Sequence, residues 1–322
     1  MNGREEILKI IASTESPTRL HEVMSDVISN LDFQGGNALT GLASGQPDLD
    51  DMTRGLHNGD LIVIAGRPSS GKTALALNFA EHIAVAQNKS VAFFSLEMRR
   101  QDVALRLMSS RCRIDGQRLR KGMLSNAQVK CLMENAEVLF KAPLLIDDTP
   151  GLGFDDLADR AVGLKKNSSL QLLIVDSVNL MEPFADDAPY TRVARLCHSL
   201  KAMARTLDLP IVVTAQCSVP KEDLPKPRLT EIRESAALSE DADVVLLLHR
   251  EEMRYSPGTT EFGDAKGYAE LHVAKQRNGP TGRIDLFWQP EFTRFNPYSP
   301  NSAQSAGQGP QDAEDGATQG PF

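Results

Sequence analysis

Residues 59–80 read GDLIVIAGRPSSGKTALALNFA. The apolar run from Leu61 leads straight into Gly66-Arg67-Pro68-Ser69-Ser70-Gly71-Lys72-Thr73, a match to G-x-x-x-x-G-K-[ST]. A strand-like run precedes the octet and a helical run, Ala74 to Ala80, follows it, which is the context this motif requires. The glycines let the backbone curl until successive N–H groups and the helix N-terminus face phosphate oxygens. Lys72 then neutralises β- and γ-oxygens, and the Thr73 hydroxyl is a ligand for Mg²⁺.

Five more apolar runs repeat the pattern downstream: SVAFFSL (90–96), PLLIDD (143–148), LQLLIVD (170–176), PIVVTAQ (210–216) and DVVLLLH (243–249). None alternates, so each reads as a strand buried on both faces in a parallel sheet covered by helices. Helical periods fill the gaps at 72–87, 125–140, 155–166 and 191–208. YAELHVAKQ and GRIDLFW flank RNGPT, which predicts a C-terminal antiparallel hairpin with Asn278-Gly279 at its turn. The expected fold is an α/β P-loop NTPase with a mostly parallel sheet flanked by helices.

Composition agrees. The 322 residues are 41% hydrophobic, 24% charged and only 5% aromatic, which suits an aliphatic α/β protein and excludes a fibrous or disordered chain. No run approaches the ~18 apolar residues of a membrane span, and the N-terminus lacks a signal-peptide core, so the cytoplasm is the expected compartment. A net charge of -8 argues against wholesale coating of nucleic acid but leaves room for a local basic channel. Cys112, Cys131, Cys197 and Cys217 form no C-x-x-C pair, so they read as reduced thiols rather than a zinc site or disulfide framework.

Phosphoryl transfer to water needs a carboxylate for the metal and a group to activate the water. Glu97, the pair Asp147 and Asp148, and Asp176 each end a predicted strand, at the edge where α/β sheets bind ligands. Spacing does not rank them. Gln216, ending PIVVTAQ, suits a γ-phosphate sensor because an amide contacts phosphate without changing charge.

GDLIVIAGRPSSGKTALALNFA, FFSLEM, LLIVDSVNLM, IRESAALSEDADVVLLLHREE and AKQRNGPTG, in this order, closely resemble the ATPase domain of replicative DNA helicases of the DnaB type, over roughly residues 17 to 296. The resemblance implies a RecA-type fold and a ring, a hexamer, that moves 5′ to 3′ on single-stranded DNA with ATP bound between subunits. By position it makes Glu97 the base that activates water and Asp176 the Walker B aspartate on Mg²⁺, setting Asp147 and Asp148 aside. Gln216 becomes the sensor. Lys275 and Arg277 become the sensor lysine and arginine finger that reach the neighbouring subunit's ATP. Arg233, Glu234 and Ala236 fall in the loop that holds single-strand phosphates.

Two departures feed an alternative, a DNA-stimulated RecA-like ATPase with a regulatory or strand-pairing role and no unwinding. Ala215-Gln216-Cys217-Ser218-Val219 lacks an arginine the family carries after the glutamine, and Ala236 stands where the family has glycine. Arg192, Arg195, Lys201 and Arg205 read as a solvated face or a basic DNA stripe.

Before residue 40, Ser16-Pro17 reads as a helix start, Leu20, Val23, Val27, Ile28 and Leu31 fall on one face, and Gly35-Gly36 ends the element. That face packs on its own domain or on a neighbouring subunit. The resemblance identifies it with the family's linker helix and favours the neighbour. It also implies a helicase loader as partner. The pattern shows no counterpart of the N-terminal domain that recruits primase, so primase binding is not expected. The organisation read from the chain is a helical linker segment (1–39), an ATPase domain (40–298) and a disordered tail (299–322), the last rich in Ser, Gln, Gly and Pro without periodicity.

Overall fold

The six apolar runs pair side by side as β1 (Leu61–Gly66), β2 (Val91–Ser95), β3 (Leu144–Asp147), β4 (Leu172–Asp176), β5 (Ile211–Gln216) and β6 (Val244–Arg250), all mutually parallel. The computed structural model describes residues 19–30, 39–182, 192–218, 226–232 and 236–299. Three antiparallel strands extend the sheet: β7 (Tyr268–Gln276), β8 (Gly282–Gln289) and β9 (Arg294–Pro297). The order is β3-β2-β4-β5-β1-β6-β7-β8-β9.

The absence of alternation in the strands follows from two cores. Leu61, Val63 and Ala65 of β1 face one cluster, built with helices α7 (Phe154–Ser168) and α8 (Arg192–Leu207). Ile62 and Ile64 face the other, built with α3 (Lys72–Glu81) and the antiparallel strands. With both faces covered, every position of β1 is apolar or small and buried. The remaining helices are α1 (Leu20–Asn30), α2 (Pro47–Thr53), α4 (Arg100–Cys112), α5 (Gly116–Lys121), α6 (Asn126–Lys141), α9 (Ala236–Asp241) and α10 (Thr260–Ala265). The predicted helix at 72–87 is α3 followed by a π-turn over His82–Ala86.

The hairpin differs from expectation. β7 and β8 stop pairing with each other at Val273 and Gly282, and neither Asn278 nor Gly279 carries the positive φ that a two-residue primed turn needs. Instead β7 continues along β6, with a bulge between Val245 and Leu246, and delivers Lys275 opposite Val245. The basic-stripe reading of α8 is corrected at Lys201: its Nζ donates to Asp243 Oδ2 (2.5 Å) and Gly59 O (2.7 Å), inside the fold. The Arg192 side chain lies outside the described residues, as do Ser16, Pro17, Leu31, Gly35, Gly36 and the tail from Asn301. No described helix is long and apolar enough to cross a membrane.

Candidate active site at the carboxyl edge of the sheet

The octet after β1 folds into a loop whose shape only glycine permits at two points. Gly71 sits at φ +100°, and a Cβ there would lie 2.8 Å from the Phe295 ring. A Cβ on Gly66 would lie 2.7 Å from Ser70 Oγ and 2.8 Å from Leu248 O. Lys72 opens α3, and its buried Nζ donates to Arg67 O at 2.9 Å. Burial pulls the Lys72 pKa below the ordinary lysine value, with Asp176, Cys217 and Glu97 pulling the other way.

The register brings the predicted carboxylates and the amide to this loop. Ser95 pairs with Asp176, and Leu96 N donates to Asp176 O at 2.7 Å, so Glu97 follows immediately beside the end of β4. Ser95 Oγ donates to Met98 O at 2.8 Å, closing the turn that carries the exposed Glu97. Gly66 pairs with Gln216, and Cys217 N donates to Gly66 O at 2.9 Å. Asn179 Oδ1 accepts from Gln216 N at 3.0 Å and fixes the backbone there.

Asp176 is only 1% exposed. Burial raises its pKa, while hydrogen bonds from Thr214 (2.5 Å to Oδ1) and Thr73 oppose the rise. Its Oδ2 is buried with no partner. An orphaned carboxylate oxygen beside the Thr73 hydroxyl fits a divalent cation, whose charge would offset the cost of burying the ion. Asp147 and Asp148 have other work. Asp147 accepts from Thr149 and is paired with Arg160, and Asp148 accepts from Arg100 N (2.9 Å) and Nε (2.7 Å), capping α4.

Two arginines at this edge, Arg250 and Arg106, carry no sequence signal of their own, and a third belongs to the predicted octet. Arg67, within the octet, donates to Ser218 O and to Glu231 Oε2 (3.1 Å), tying the loop to the exit of β5. Arg250 donates to Ser69 O (3.0 Å) and Glu252 (2.6 Å) and lies over the Trp288 ring at 5.0 Å. Arg106 on α4 is half-buried and within electrostatic reach of Asp176 and Glu97; burial lowers its pKa, and the two carboxylates oppose that.

Lys275 and Arg277 are not at this site. Lys275 Nζ donates to Glu240 O (2.9 Å), Arg277 donates to Glu240 O (2.8 Å) and Asp241 O (3.3 Å), and Asp243 Oδ1 lies 3.4 Å from the guanidinium. Both cap the C-terminus of α9. Burial, then the charge of Arg277, lowers the Lys275 pKa. Gly66 is level with Leu248 and Lys275 with Val245, so the pair sits at the amino edge of β6, with Arg277 further still. Five residues of strand put roughly 17 Å between Arg277 and Gly66 along the sheet, more than an arginine spans. Of the predicted DNA loop, Arg233 and Glu234 lie outside the described residues, and Ala236 opens α9.

Residues 41–297 match the DnaB-like helicase C terminal domain. The chain belongs to the DnaB-like helicase family. It is 38% identical over 286 residues to the replicative DNA helicase DnaB of Treponema pallidum, covering 87% of this chain and 62% of that protein. With the Haemophilus influenzae DnaB it shares 34% over 298 residues, covering 89% and 63% respectively. A solved ATPase domain superposes with a TM-score of 0.80 at 28% identity, over 88% of this chain and all of that one. A DnaB-like replicative helicase solved with reference to its interactions with primase gives 0.77 at 26%, over 92% of this chain and 71% of that chain. The chain spans about six-tenths of the length of these curated relatives. The RecA-like fold expected from the resemblance is the fold these DnaB-like neighbours share, and membership implies nucleotide-dependent activity.

Proposed function

We propose that this DnaB-like chain is the motor of a cytoplasmic replicative DNA helicase, a hexameric ring that hydrolyses ATP and moves 5′ to 3′ on single-stranded DNA. Gly66 to Thr73 hold the triphosphate, with Lys72 on its β- and γ-oxygens. Thr73 and Asp176 hold Mg²⁺, which when bound neutralises developing charge on the phosphoryl oxygens. Glu97 takes a proton from the attacking water, and Gln216 contacts the γ-phosphate. Arg233 and Glu234, with Ala236 at the start of α9, hold DNA phosphates, with a helicase loader as a further partner. The domain division read from the sequence, 1–39, 40–298 and 299–322, belongs to the same proposal.

One observation carries the reading: the sheet divides the machinery between its two edges. Lys72, Glu97, Asp176 and Gln216 gather at the carboxyl edge, whereas Lys275 and Arg277 stand at the amino edge. A site so divided is completed by a neighbouring copy. The apolar residues of α1 support assembly, since Leu20 is 74% exposed and Val23, Met24 and Ile28 are also exposed within the single chain. Val129, Met133 and Phe140 on α6 offer an apolar face of matching character on a neighbour.

The test is ATP turnover with and without single-stranded DNA, together with strand separation of a 5′-tailed fork. DNA-stimulated turnover with fork opening, both lost in Lys72→Ala, is the expected result. Stimulated turnover without opening would favour the strand-pairing alternative, and turnover unchanged in a folded Lys72→Ala protein would overturn the assignment of the loop.

A further inference from the structure

Away from the nucleotide edge, α4 and α6 bring together two thiols that are 19 positions apart. Cys112 Sγ lies 3.9 Å from Cys131 O, and Cys131 Sγ lies 4.0 Å from Cys112 O, so each thiol sits over the other's backbone. Both are free and partly exposed, whereas Cys197 and Cys217 are buried. Asn135, one turn along α6, donates from Nδ2 to Cys131 Sγ at 3.4 Å. Asn135 therefore aims an amide donor at the Cys131 sulfur.

We propose that Cys112 and Cys131 form a reversible oxidation site, in which a hydroperoxide converts the two thiols into one intrachain disulfide between α4 and α6. The Cys131 thiolate attacks the peroxide oxygen, the O–O bond breaks, and the alcohol or water leaves with a proton, giving Cys131 sulfenic acid. The Cys112 sulfur then attacks the Cys131 sulfur, the S–O bond breaks, and water leaves with the Cys112 proton. The sum is two thiols and one hydroperoxide giving one disulfide, one alcohol (or water) and one water. The direction of attack follows from the surroundings: burial and the neighbouring Cys131 push the Cys112 thiol up to about 12, which keeps it the proton donor of the pair. The bond would fasten α6, with its exposed apolar face, to the helix that carries Arg106.

The test treats the full chain with hydrogen peroxide, blocks residual thiols with iodoacetamide and maps the unreduced digest by mass spectrometry. A Cys112–Cys131 peptide pair that dithiothreitol removes is expected, with Cys197 and Cys217 still alkylated. In Cys112→Ser, dimedone should label Cys131; in Cys131→Ser, Cys112 should remain unlabelled at the same exposure. Asn135→Ala should slow disulfide formation several-fold while leaving the circular dichroism spectrum unchanged. Disulfides between chains, labelling of Cys112 in place of Cys131, or both thiols surviving after methionine oxidation elsewhere would each overturn the proposal.

Discussion

At the scale of single residues, the charge on Asp176 is the least comfortable feature of the domain. It is a buried carboxylate with one orphaned oxygen, and its pKa is raised by burial. A folded pKa above the unfolded value contributes stability below the unfolded pKa, and that contribution is lost as pH rises through the folded one. Burying this carboxyl without a cation therefore costs the metal-free protein stability as pH rises. Asp176→Asn should raise the melting temperature of the metal-free protein, by about 1–3 kcal/mol in free energy, while abolishing Mg²⁺-dependent turnover. A lower melting temperature would show that the carboxylate is held by its neighbours better than its geometry indicates. Glu97→Gln should keep nucleotide binding and cut turnover by ~10² or more. Asp148→Asn should instead cost modest stability by uncapping α4, because its oxygens are taken by Arg100. Nucleotide binding by fluorescence and turnover by phosphate release separate the two; if Asp148→Asn were the dead variant, the assignment of the base to Glu97 would fail.

At the scale of elements, the strands beyond β6 hold a charge cluster with a measurable pH dependence. Glu270 on β7 is buried and accepts from Lys226 (2.8 Å), His272 (2.7 Å) and Tyr268 (3.1 Å). Burial alone would raise its pKa, but the hydrogen bonds and charges of Lys226 and His272 prevail and hold it at about 2. A depressed folded pKa contributes stability above the unfolded value of 4.5, which is lost as pH falls toward about 2. Wild type and Glu270→Gln should therefore differ by roughly 2–3 kcal/mol in chemical denaturation at pH 7, with the gap closing between about pH 4.5 and 2. A gap that persists at pH 2 would mean that the glutamine variant loses packing rather than charge. These strands also mark what the sequence could and could not disclose. β1, β2 and β4 to β6 were legible because strands covered on both faces are almost wholly apolar, whereas β3, at the sheet edge and partly exposed, was legible only from its short apolar run. β9 was not, since Arg294-Phe295-Asn296-Pro297 offers one apolar side chain and ends in proline, and its pairing comes from Trp288 packing on Phe295. α4 was equally silent, with only Val103 and Leu107 among its apolar side chains buried. In the candidate site, Lys72 and Gln216 were legible from loop chemistry and a strand end, whereas Asp176 was one of several strand-end carboxylates and was singled out only by the family resemblance. Arg106 and Arg250 were not, because an arginine on a helix or after a strand reads as solvated until the fold shows what it faces.

At the scale of the whole molecule, the question is whether Arg277 serves its own nucleotide or that of a neighbour. Within one chain the guanidinium is held by Glu240 O, Asp241 O and Asp243 at the amino edge, on the far side of the sheet from Lys72. For Arg277 to serve its own site, β6 and β7 would have to slide past one another by most of their length, breaking the pairs from Val244–Gln276 to Arg250–Ala269. Reaching a neighbour requires only that Arg277 leave two carbonyl oxygens and one carboxylate, a far smaller cost. Lys72→Ala and Arg277→Ala proteins should each be inactive alone. Mixed in one ring, they form some interfaces with an intact phosphate loop from one subunit and an intact finger from the next. Those interfaces should turn over ATP. Recovery should peak near equal mixing, because the share of complete interfaces is the product of the two fractions. Steady-state ATPase across a mixing series, with subunit exchange followed by fluorescence transfer between labelled chains, gives the measurement. A flat, inactive series despite verified exchange would assign Arg277 to the α9 cap alone, and the division of the site between the two edges of the sheet would lose its meaning for catalysis.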